Sequence, residues 1–165
     1  MVIEIIVADY SNPAHQAAIV ELLDEYARDP MGGARGLSDW AKENLPAALA
    51  GTANAFSVLA LADGAPAGLI NCFQTLSTFK CRPLVNIHDV TVSQSLRGRG
   101  LSTAMLAKVE EIAQQRGCCK LTLEVLEGNS IARRAYARFG FRGYELDPAM
   151  GKAMFWEKPL DAGGT

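Results

Sequence analysis

The stretch from Val85 to Thr103 constrains the fold more than any other part of this sequence. It begins with the apolar, β-branched run Val85 to Val92, which predicts a buried strand. The turn-prone Ser93-Gln94-Ser95 follows, and the basic segment Arg97-Gly98-Arg99-Gly100 then opens into an amphipathic helix. A strand, a glycine-rich loop and a helix start in this order bring backbone N–H groups and the positive end of a helix dipole together. We therefore predict a pyrophosphate-binding loop.

Each residue type in the loop suits an anion. Glycine lets successive N–H groups point at one spot without interference from a Cβ, arginine adds a permanent charge, and first-turn hydroxyls add donors. The alternative is an ordinary glycine-bearing turn with solvated arginines. The residues predicted to hold the phosphates are Arg97, Gly98, Arg99, Gly100, Leu101, Ser102 and Thr103.

Two common phosphate-binding motifs do not fit this loop. A P-loop requires a lysine directly after its last glycine, and none follows Gly100. A dinucleotide-binding fingerprint, G-x-G-x-x-G, fits Gly98 and Gly100 but meets Thr103 where the third glycine belongs. A nucleotide-binding αβ domain that uses the loop for ADP stays an alternative.

Two motifs together carry a family resemblance. Arg97 to Ser102 resembles the pattern [QR]-x-x-G-x-[GA], matching at Arg97 and Gly100 and departing at the last place, where Ser102 stands for Gly or Ala. Asn129 to Phe141 matches N-x-x-A-x-x-x-Y-x-x-x-G-F at every defined position. With one helix and one strand between the two motifs, the chain resembles the GNAT superfamily of acetyl-CoA-dependent N-acetyltransferases, over roughly residues 55 to 158.

The element order along the chain is βααβββαβαββ. It predicts a mixed α/β (α+β) fold, and the resemblance implies a mostly antiparallel sheet of about seven strands with a central splay, flanked by about four helices. We expect one domain over residues 1–165, with a core at about 2–159 and a frayed tail at 160–165. The predicted strands are Val2–Val7, Ala55–Ala62, Gly68–Thr78, Leu84–Ser93, Cys119–Val125, Phe141–Leu146 and Ala153–Lys158.

The helices have local signals of their own. Asn12 is the predicted N-cap of the first helix, with Pro13 at its first position, and Pro46 is expected to kink or restart the second helix. The third helix is expected to bury Leu101, Met105, Leu106, Val109, Ile112 and Ala113.

Composition excludes several classes of protein. The net charge of −2 argues against a nucleic-acid-binding domain, and no apolar run approaches the length of a membrane span. No secretory signal is visible at the start of the sequence. The four cysteines form no C-x-x-C motif and only two histidines are present, so we expect no metal site, free thiols and a cytoplasmic protein. A homodimer is possible.

The resemblance implies that acetyl-CoA supplies an acetyl group to a primary amine, by direct attack in a ternary complex. It also implies that Val90, Thr91 and Val92 pair with the pantetheine arm, that Asn129 and Ala132 contact the cofactor, and that Tyr136 contacts it and protonates the leaving thiolate. Without the resemblance, the strand residues and Tyr136 would be interpreted as core, and Asn129 as a helix N-cap.

His88 and Asp89 are the candidates for the catalytic base. Neighbours in a strand point to opposite faces, so at most one of them faces the cleft unless a bulge intervenes. Histidine titrates near neutrality, whereas aspartate might order a water chain or hold an ammonium group. In the family the amine acceptor, a small molecule or a peptide, binds near the first two helices, which here offer Glu25, Asp29 and Trp40. A non-catalytic acyl-CoA-binding module is the alternative function.

Overall fold

The computed structural model describes residues 1–160, and over that range the chain forms a mixed α/β fold with five strands and four α-helices. Three short 3-10 turns complete it, at Pro30–Gly32, Gln94–Leu96 and Pro148–Met150. In chain order the elements are β1 Ile3–Val7, α1 Pro13–Arg28, α2 Asp39–Gly51, β2 Ala55–Ala62, β3 Ala65–Ser77, β4 Arg82–Val92, α3 Leu101–Gln115, β5 Leu121–Leu123 and α4 Ser130–Phe139.

The sheet follows the chain, with the order β1-β2-β3-β4-β5. The first four strands pair antiparallel, and β5 joins β4 in parallel after the crossover through α3. A parallel pair needs such a crossover, which α3 provides. The predicted mixed, mostly antiparallel sheet and the predicted four helices are confirmed.

The predicted count of seven strands is wrong. Residues 141–146 and 153–158 form no strand: Glu145 makes an isolated bridge with Lys152, and the Ala153 N–H donates to the Tyr144 carbonyl at 3.2 Å. Their composition favours extended backbone, but a strand requires a neighbour to pair with, and a lone pair of strands is marginally stable in water. The predicted strand Cys119–Val125 is likewise shorter, Leu121–Leu123.

By internal contacts the chain divides into two compact units, Met1–Leu123 and a second that begins at Glu124. The first contains the whole sheet with α1, α2 and α3, and the second contains α4. We describe each unit by itself, so the single domain stays a prediction. The frayed tail predicted from residue 160 falls, beyond Leu160, outside the described residues.

Helices cover both faces of the sheet in the first unit. On one face, α1 and α2 pack on β2 and β3 through a buried cluster: Ala18, Ile19, Leu22, Leu49, Leu59 and Leu69. On the other face lies α3, whose Met105 approaches Gly68, the strand neighbour of Leu69. The apolar side of α3 is buried as predicted, at Leu101, Met105, Leu106, Val109, Ile112 and Ala113.

The helix starts follow the local sequence. Asn12 caps α1 by accepting a hydrogen bond from the Ala14 N–H, and Pro13 occupies the first turn, as predicted. Helix α2 begins after the Ser38 cap and continues through Pro46 to Gly51 as one helix, without the restart that the proline suggested. No helix among residues 1–160 is long and apolar enough to cross a membrane.

Gly68 permits the close approach of α3 to the sheet. A Cβ at this position would lie 2.7 Å from Met105 Cε and 3.1 Å from the Thr91 carbonyl oxygen, which belongs to the backbone of β4. We expect Gly68→Ala to lower the free energy of unfolding by about 1 kcal/mol, because the buried Met105 side chain must take another rotamer and the backbone of β4 must move by a few tenths of an ångström. Denaturant unfolding measures the change.

Gly51→Ala is the matched control. A Cβ at Gly51 meets no atom within 4 Å, and the residue ends α2. Alanine there is expected to leave stability unchanged or to raise it by about 0.5 kcal/mol. Equal unfolding midpoints for the two variants would contradict the packing role of Gly68.

Candidate active site

The glycine-rich loop has the backbone conformation that its sequence predicts. Gly98 and Gly100 have φ angles of 78° and 82°, in the left-handed region that other residues rarely adopt. A Cβ built at either glycine meets no atom within 4 Å, so the space beside the loop is open within the described protein. A side chain there would occupy the space that a ligand needs.

The start of α3 leaves donors available for an anion. The Ala104 N–H is the first in α3 to have an intrahelical acceptor, and it donates to the Gly100 carbonyl at 3.1 Å. The preceding N–H groups, from Leu101 to Thr103, lack such an acceptor by helix geometry, and the N-cap Gly100 has no side chain to accept from them. The loop therefore fits a pyrophosphate through backbone donors, whereas the Leu101 side chain is buried in the core.

Arg97 is tied to the first unit by two contacts. Its Nε donates to the Val92 carbonyl at 3.1 Å, and its guanidinium forms a 2.9 Å ion pair with Asp29 at the end of α1. Asp29 also accepts from the Met31 N–H and so begins the Pro30–Gly32 turn. Arg97 thus connects the phosphate loop to the α1–α2 connection, while the exposed Arg99 lies beside Met1.

Strand β4 extends beyond its pairing with β5. The last parallel pair is Ile87 with Leu123, and β4 then continues from His88 to Val92. The Ser93 N–H donates to Ala67 on the β3 side, so alternation turns Thr91 toward β3 and the N–H groups of Val90 and Val92 away from it. The predicted splay between β4 and β5 requires their pairing to end in this way.

A one-residue bulge in β4 decides which side chains meet. Asn71 pairs with Asp89 and Cys72 pairs with Ile87, so His88 has no partner on β3. Asp89 shares a face with Asn71, and the His88 ring packs edge-on against Phe73, at 5.6 Å between centroids, on the same α1-facing side. The bulge therefore places both candidate bases on one face, which strict alternation would have prevented.

Asp89 ends a chain of hydrogen bonds that runs from strand to strand across one face of the sheet. Asn71 Nδ2 donates to Asp89 Oδ2 at 2.9 Å, Ser57 Oγ donates to Asn71 Oδ1 at 2.6 Å, and Tyr10 Oη lies 2.8 Å from Ser57 Oγ. Ser57 and Asn71 are both buried. Sequence analysis missed Tyr10, Ser57 and Asn71. The available signal was one serine and one asparagine inside the apolar runs of β2 and β3.

The end of α1 lies against the end of β4. Glu25 accepts hydrogen bonds from the Gln94 N–H at 2.8 Å and from the Ser93 hydroxyl at 3.3 Å. Burial raises the pKa of Tyr26, and the negative charges of Asp89 and Asp29 raise it further. Tyr26 therefore keeps its proton, which it donates to the Met31 carbonyl at 3.4 Å.

The second motif forms α4 in the unit that begins at Glu124. Asn129 is the N-cap and accepts from the Ala132 N–H at 3.1 Å, which realises its predicted structural role. Gly140 ends the helix with a φ of 112°. Tyr136 is half-buried on the same side of α4 as Ala132 and packs edge-on against Phe141, at 6.0 Å between centroids.

The cysteines offer little support for a covalent route. All four are free thiols, and burial raises the pKa values of Cys72 and Cys118, which disfavours the nucleophilic thiolate. The Cys119 N–H donates to the Pro83 carbonyl, at the end of β4 remote from the phosphate loop. No group of three or more histidine, cysteine or acidic residues in the described chain could hold a metal ion.

The sequence profile of the acetyltransferase (GNAT) family matches residues 17–141, a range that begins in α1 and includes both motifs. The chain therefore belongs to the GNAT family of N-acetyltransferases, enzymes that use acetyl-CoA as the acetyl donor. The predicted family, enzyme class and cofactor are confirmed.

Known proteins resemble parts of the sequence and nearly the whole fold. An uncharacterized N-acetyltransferase of Methanocaldococcus jannaschii is 34% identical over 51% of this chain and 38% of its own. Streptothricin acetyltransferase of Streptomyces lavendulae is 34% identical over 54% and 45%. A structure of AAC(6')-Iy with the bisubstrate analog CoA-S-monomethyl-acetylneamine superposes with a TM-score of 0.76 at 19% identity, covering 97% of this chain and all of that one. The chain spans less than half the length of these two sequence relatives.

The ion pair between Asp29 and Arg97 predicts how the stability of the fold depends on pH. The Met31 N–H and then the Arg97 guanidinium lower the pKa of Asp29. A lowered pKa in the folded state adds stability above the unfolded-state value, and this stability is lost as the pH falls through the folded-state value. Asp29→Asn is therefore expected to cost about 0.5 kcal/mol at pH 7 and progressively less below about pH 4.

Denaturant unfolding of both proteins between pH 3 and pH 7 measures this dependence. Asparagine still accepts from the Met31 N–H, so the variant removes the charge while it keeps the turn. A stability difference that is constant over the whole range would contradict the ion pair.

Proposed function

We propose that this protein transfers the acetyl group of acetyl-CoA to a primary amine by direct attack within a ternary complex. The observation that carries the proposal is the open glycine loop at the start of α3, which lies beside a strand with unpaired backbone donors and a carboxylate. Acetyl-CoA supplies the activated acetyl group as a thioester. A cytoplasmic location belongs to the same proposal, and the free thiols support it.

The loop binds the pyrophosphate through backbone N–H groups. Gly98 and Gly100 provide the conformation, and the first turn of α3, with Ser102 and Thr103, provides donors and the positive end of the helix dipole. Arg99 is exposed and adds charge at the rim of the loop, whereas Arg97 holds the loop against Asp29 and retains an exposed guanidinium edge.

The splayed part of β4 holds the acyl arm. The N–H groups of Val90 and Val92 face away from β3, so they are available to the amide groups of the pantetheine arm and to the thioester carbonyl oxygen. A fixed N–H donor stabilises the negative charge that develops on such an oxygen during attack. Thr91, whose N–H faces β3, contributes structure to the strand.

Asp89 and His88 prepare the amine. Asp89 is the better placed for an incoming ammonium group, because it faces Tyr26 and α1 and belongs to none of the ion pairs of the described residues. His88 is exposed beside Phe73 and accepts the proton directly or through water. For the leaving thiolate we propose Tyr136 as the acid, and Asn129 and Ala132 as cofactor contacts, on the strength of the motif that they share with the family.

The acceptor is proposed to be a small-molecule or peptide amine that carries a positive charge before it reacts. Glu25 at the end of α1 suits a cation, because it accepts only from neutral donors and belongs to no ion pair of the described residues, whereas the charge of Asp29 is balanced by Arg97. Streptothricin acetyltransferase, which resembles this chain over part of each protein, supports a small-molecule acceptor.

Gly100→Asp tests the phosphate loop. Acetyl-CoA in about 100-fold excess over its dissociation constant is expected to raise the Tm of the native protein by about 5–10 °C. The substituted carboxylate would occupy the open space and repel the pyrophosphate, so the variant should show no such shift in thermal unfolding.

Gly64→Asp is the matched control for this experiment. Gly64 has nearly the same φ, 81°, its Cβ position is equally open, and it lies in the β2–β3 turn. The control should lose similar intrinsic stability and keep the full acetyl-CoA shift. A retained shift in Gly100→Asp would overturn the loop assignment, and stabilisation by ATP or NAD would favour a nucleotide-binding domain.

A panel of amines tests the reaction. Release of free thiol from acetyl-CoA in the presence of small amines, aminoglycosides or peptides identifies the acceptor class. Tyr136→Phe is expected to lower kcat about 100-fold with little change in acetyl-CoA binding, because only the acid is lost. The control Tyr144→Phe removes another phenol of the second unit and should leave kcat unchanged.

Two outcomes of the panel contradict the proposal. No thiol release with any amine, despite stabilisation by acetyl-CoA, would indicate a non-catalytic acyl-CoA-binding module. An unchanged kcat in Tyr136→Phe would remove the phenol from the mechanism.

A further inference from the structure

The buried chain Tyr10–Ser57–Asn71–Asp89 crosses the sheet from the end of β1 to the bulge in β4. It joins Tyr10, in the turn after β1, to strands β2, β3 and β4 through three contacts of 2.6–2.9 Å. A buried serine and asparagine in the centre of an apolar sheet are costly unless both are satisfied. No buried side-chain nitrogen or oxygen of the described residues lacks a partner, so the chain is complete.

The hydrogen bonds in this chain point in one direction. An ionised carboxylate only accepts, so Asn71 must present its Nδ2 to Asp89 and its Oδ1 to Ser57. The single hydroxyl proton of Ser57 is then donated to Asn71, so Tyr10 must donate to Ser57. Burial raises the pKa of Tyr10, which keeps that proton in place. Every donor is therefore aligned toward Asp89.

The chain uses only one oxygen of the carboxylate. Asn71 holds Asp89 Oδ2, and Oδ1 accepts no hydrogen bond from the described residues. Two titratable groups are influenced by Asp89, Tyr26 on α1 and Cys72 on β3: burial raises the pKa of each, and the negative charge of Asp89 raises it further. His88 adjoins it on β4. Tyr26 and Cys72 are both neutral near pH 7, so Asp89 is the acidic group at this position.

We infer that Asn71 is a positioning residue for the acceptor: backed by Ser57 and Tyr10, it fixes the Asp89 carboxylate so that Oδ1 receives the ammonium group of the amine. The role of Oδ1 rests on the proposed acetyl transfer, whereas the orienting chain does not. The inference assigns the acceptor to alkylamines that arrive protonated, because a one-sided carboxylate selects a cation with N–H donors.

Asn71→Leu tests the chain without any substrate. Leucine is similar in volume and donates nothing, so the ionised form of Asp89 loses its donor. In protein labelled with 13C at the aspartate carboxyl carbons, the Asp89 signal, assigned by its loss in Asp89→Asn, is expected to titrate about one pH unit higher in the variant. Ser57→Ala and Tyr10→Phe should move the midpoint in the same direction by less.

Ser77→Ala is the matched control for Ser57→Ala. Ser77 is also a buried serine of the sheet, but it lies at the far end of β3 and does not belong to the hydrogen-bond chain from Tyr10 to Asp89. The Asp89 midpoint should not move in this control. Should Asn71→Leu fail to fold, Ser57→Ala and Tyr10→Phe decide the question, and an unchanged Asp89 midpoint in both would overturn the inference.

A second measurement connects the chain to the acceptor. With an amine that supports thiol release, Asn71→Leu is expected to raise the KM for the amine about 10-fold or more and to shift the acid limb of kcat/KM upward with the NMR midpoint. The KM for acetyl-CoA should stay within about twofold. A displaced midpoint with an unchanged amine KM would overturn the positioning role. No turnover of any amine by the native protein would instead count against the proposed function, with the NMR result still deciding the orienting chain.

Discussion

The bulge at His88 is the constraint on which the rest of the site depends. One unpaired residue in β4 shifts the alternation of side chains, so Asp89 faces α1 beside Asn71 while Ile87 keeps its place on the opposite face. The same shift changes which backbone groups face β3, so Val90 and Val92 present their N–H groups away from it where the pairing with β5 has ended. A regular strand of the same composition would separate His88 from Asp89. One backbone irregularity thus sets both the side chains and the backbone donors of the proposed site.

The end of α1 links the two halves of the proposed site within the first unit. Glu25 holds the backbone after β4, and Asp29 holds Arg97 at the beginning of the phosphate loop. Asp29 also starts the turn that leads into the α1–α2 connection. Glu25 and Asp29 are therefore partly structural, because Glu25 accepts from the backbone after β4 and Asp29 accepts from Arg97. Asp89 differs from them, since among residues 1–160 its carboxylate accepts only from the neutral side chain of Asn71.

Local signals in the sequence predicted the elements where local physics decides. The Asn12 cap with Pro13, the glycines with positive φ and the buried side of α3 are all as expected, because each depends on residues within one turn or one helix. The two final strands were wrong because a strand depends on a partner that composition does not provide, and the second unit has no strand among its described residues. The continuous α2 through Pro46 shows packing and capping overcoming an unfavourable residue.

By itself the sequence determined the family, and it predicted the phosphate loop and the reactive side chains, since short motifs record the backbone conformation and chemistry that they require. Only the tertiary structure decided how those side chains are oriented. The bulge, the ion pair between Arg97 and Asp29, and the chain from Tyr10 to Asp89 join residues far apart in the sequence. Such contacts depend on register between strands and on helix placement, and a shift of one residue in register reverses a face without changing any local pattern.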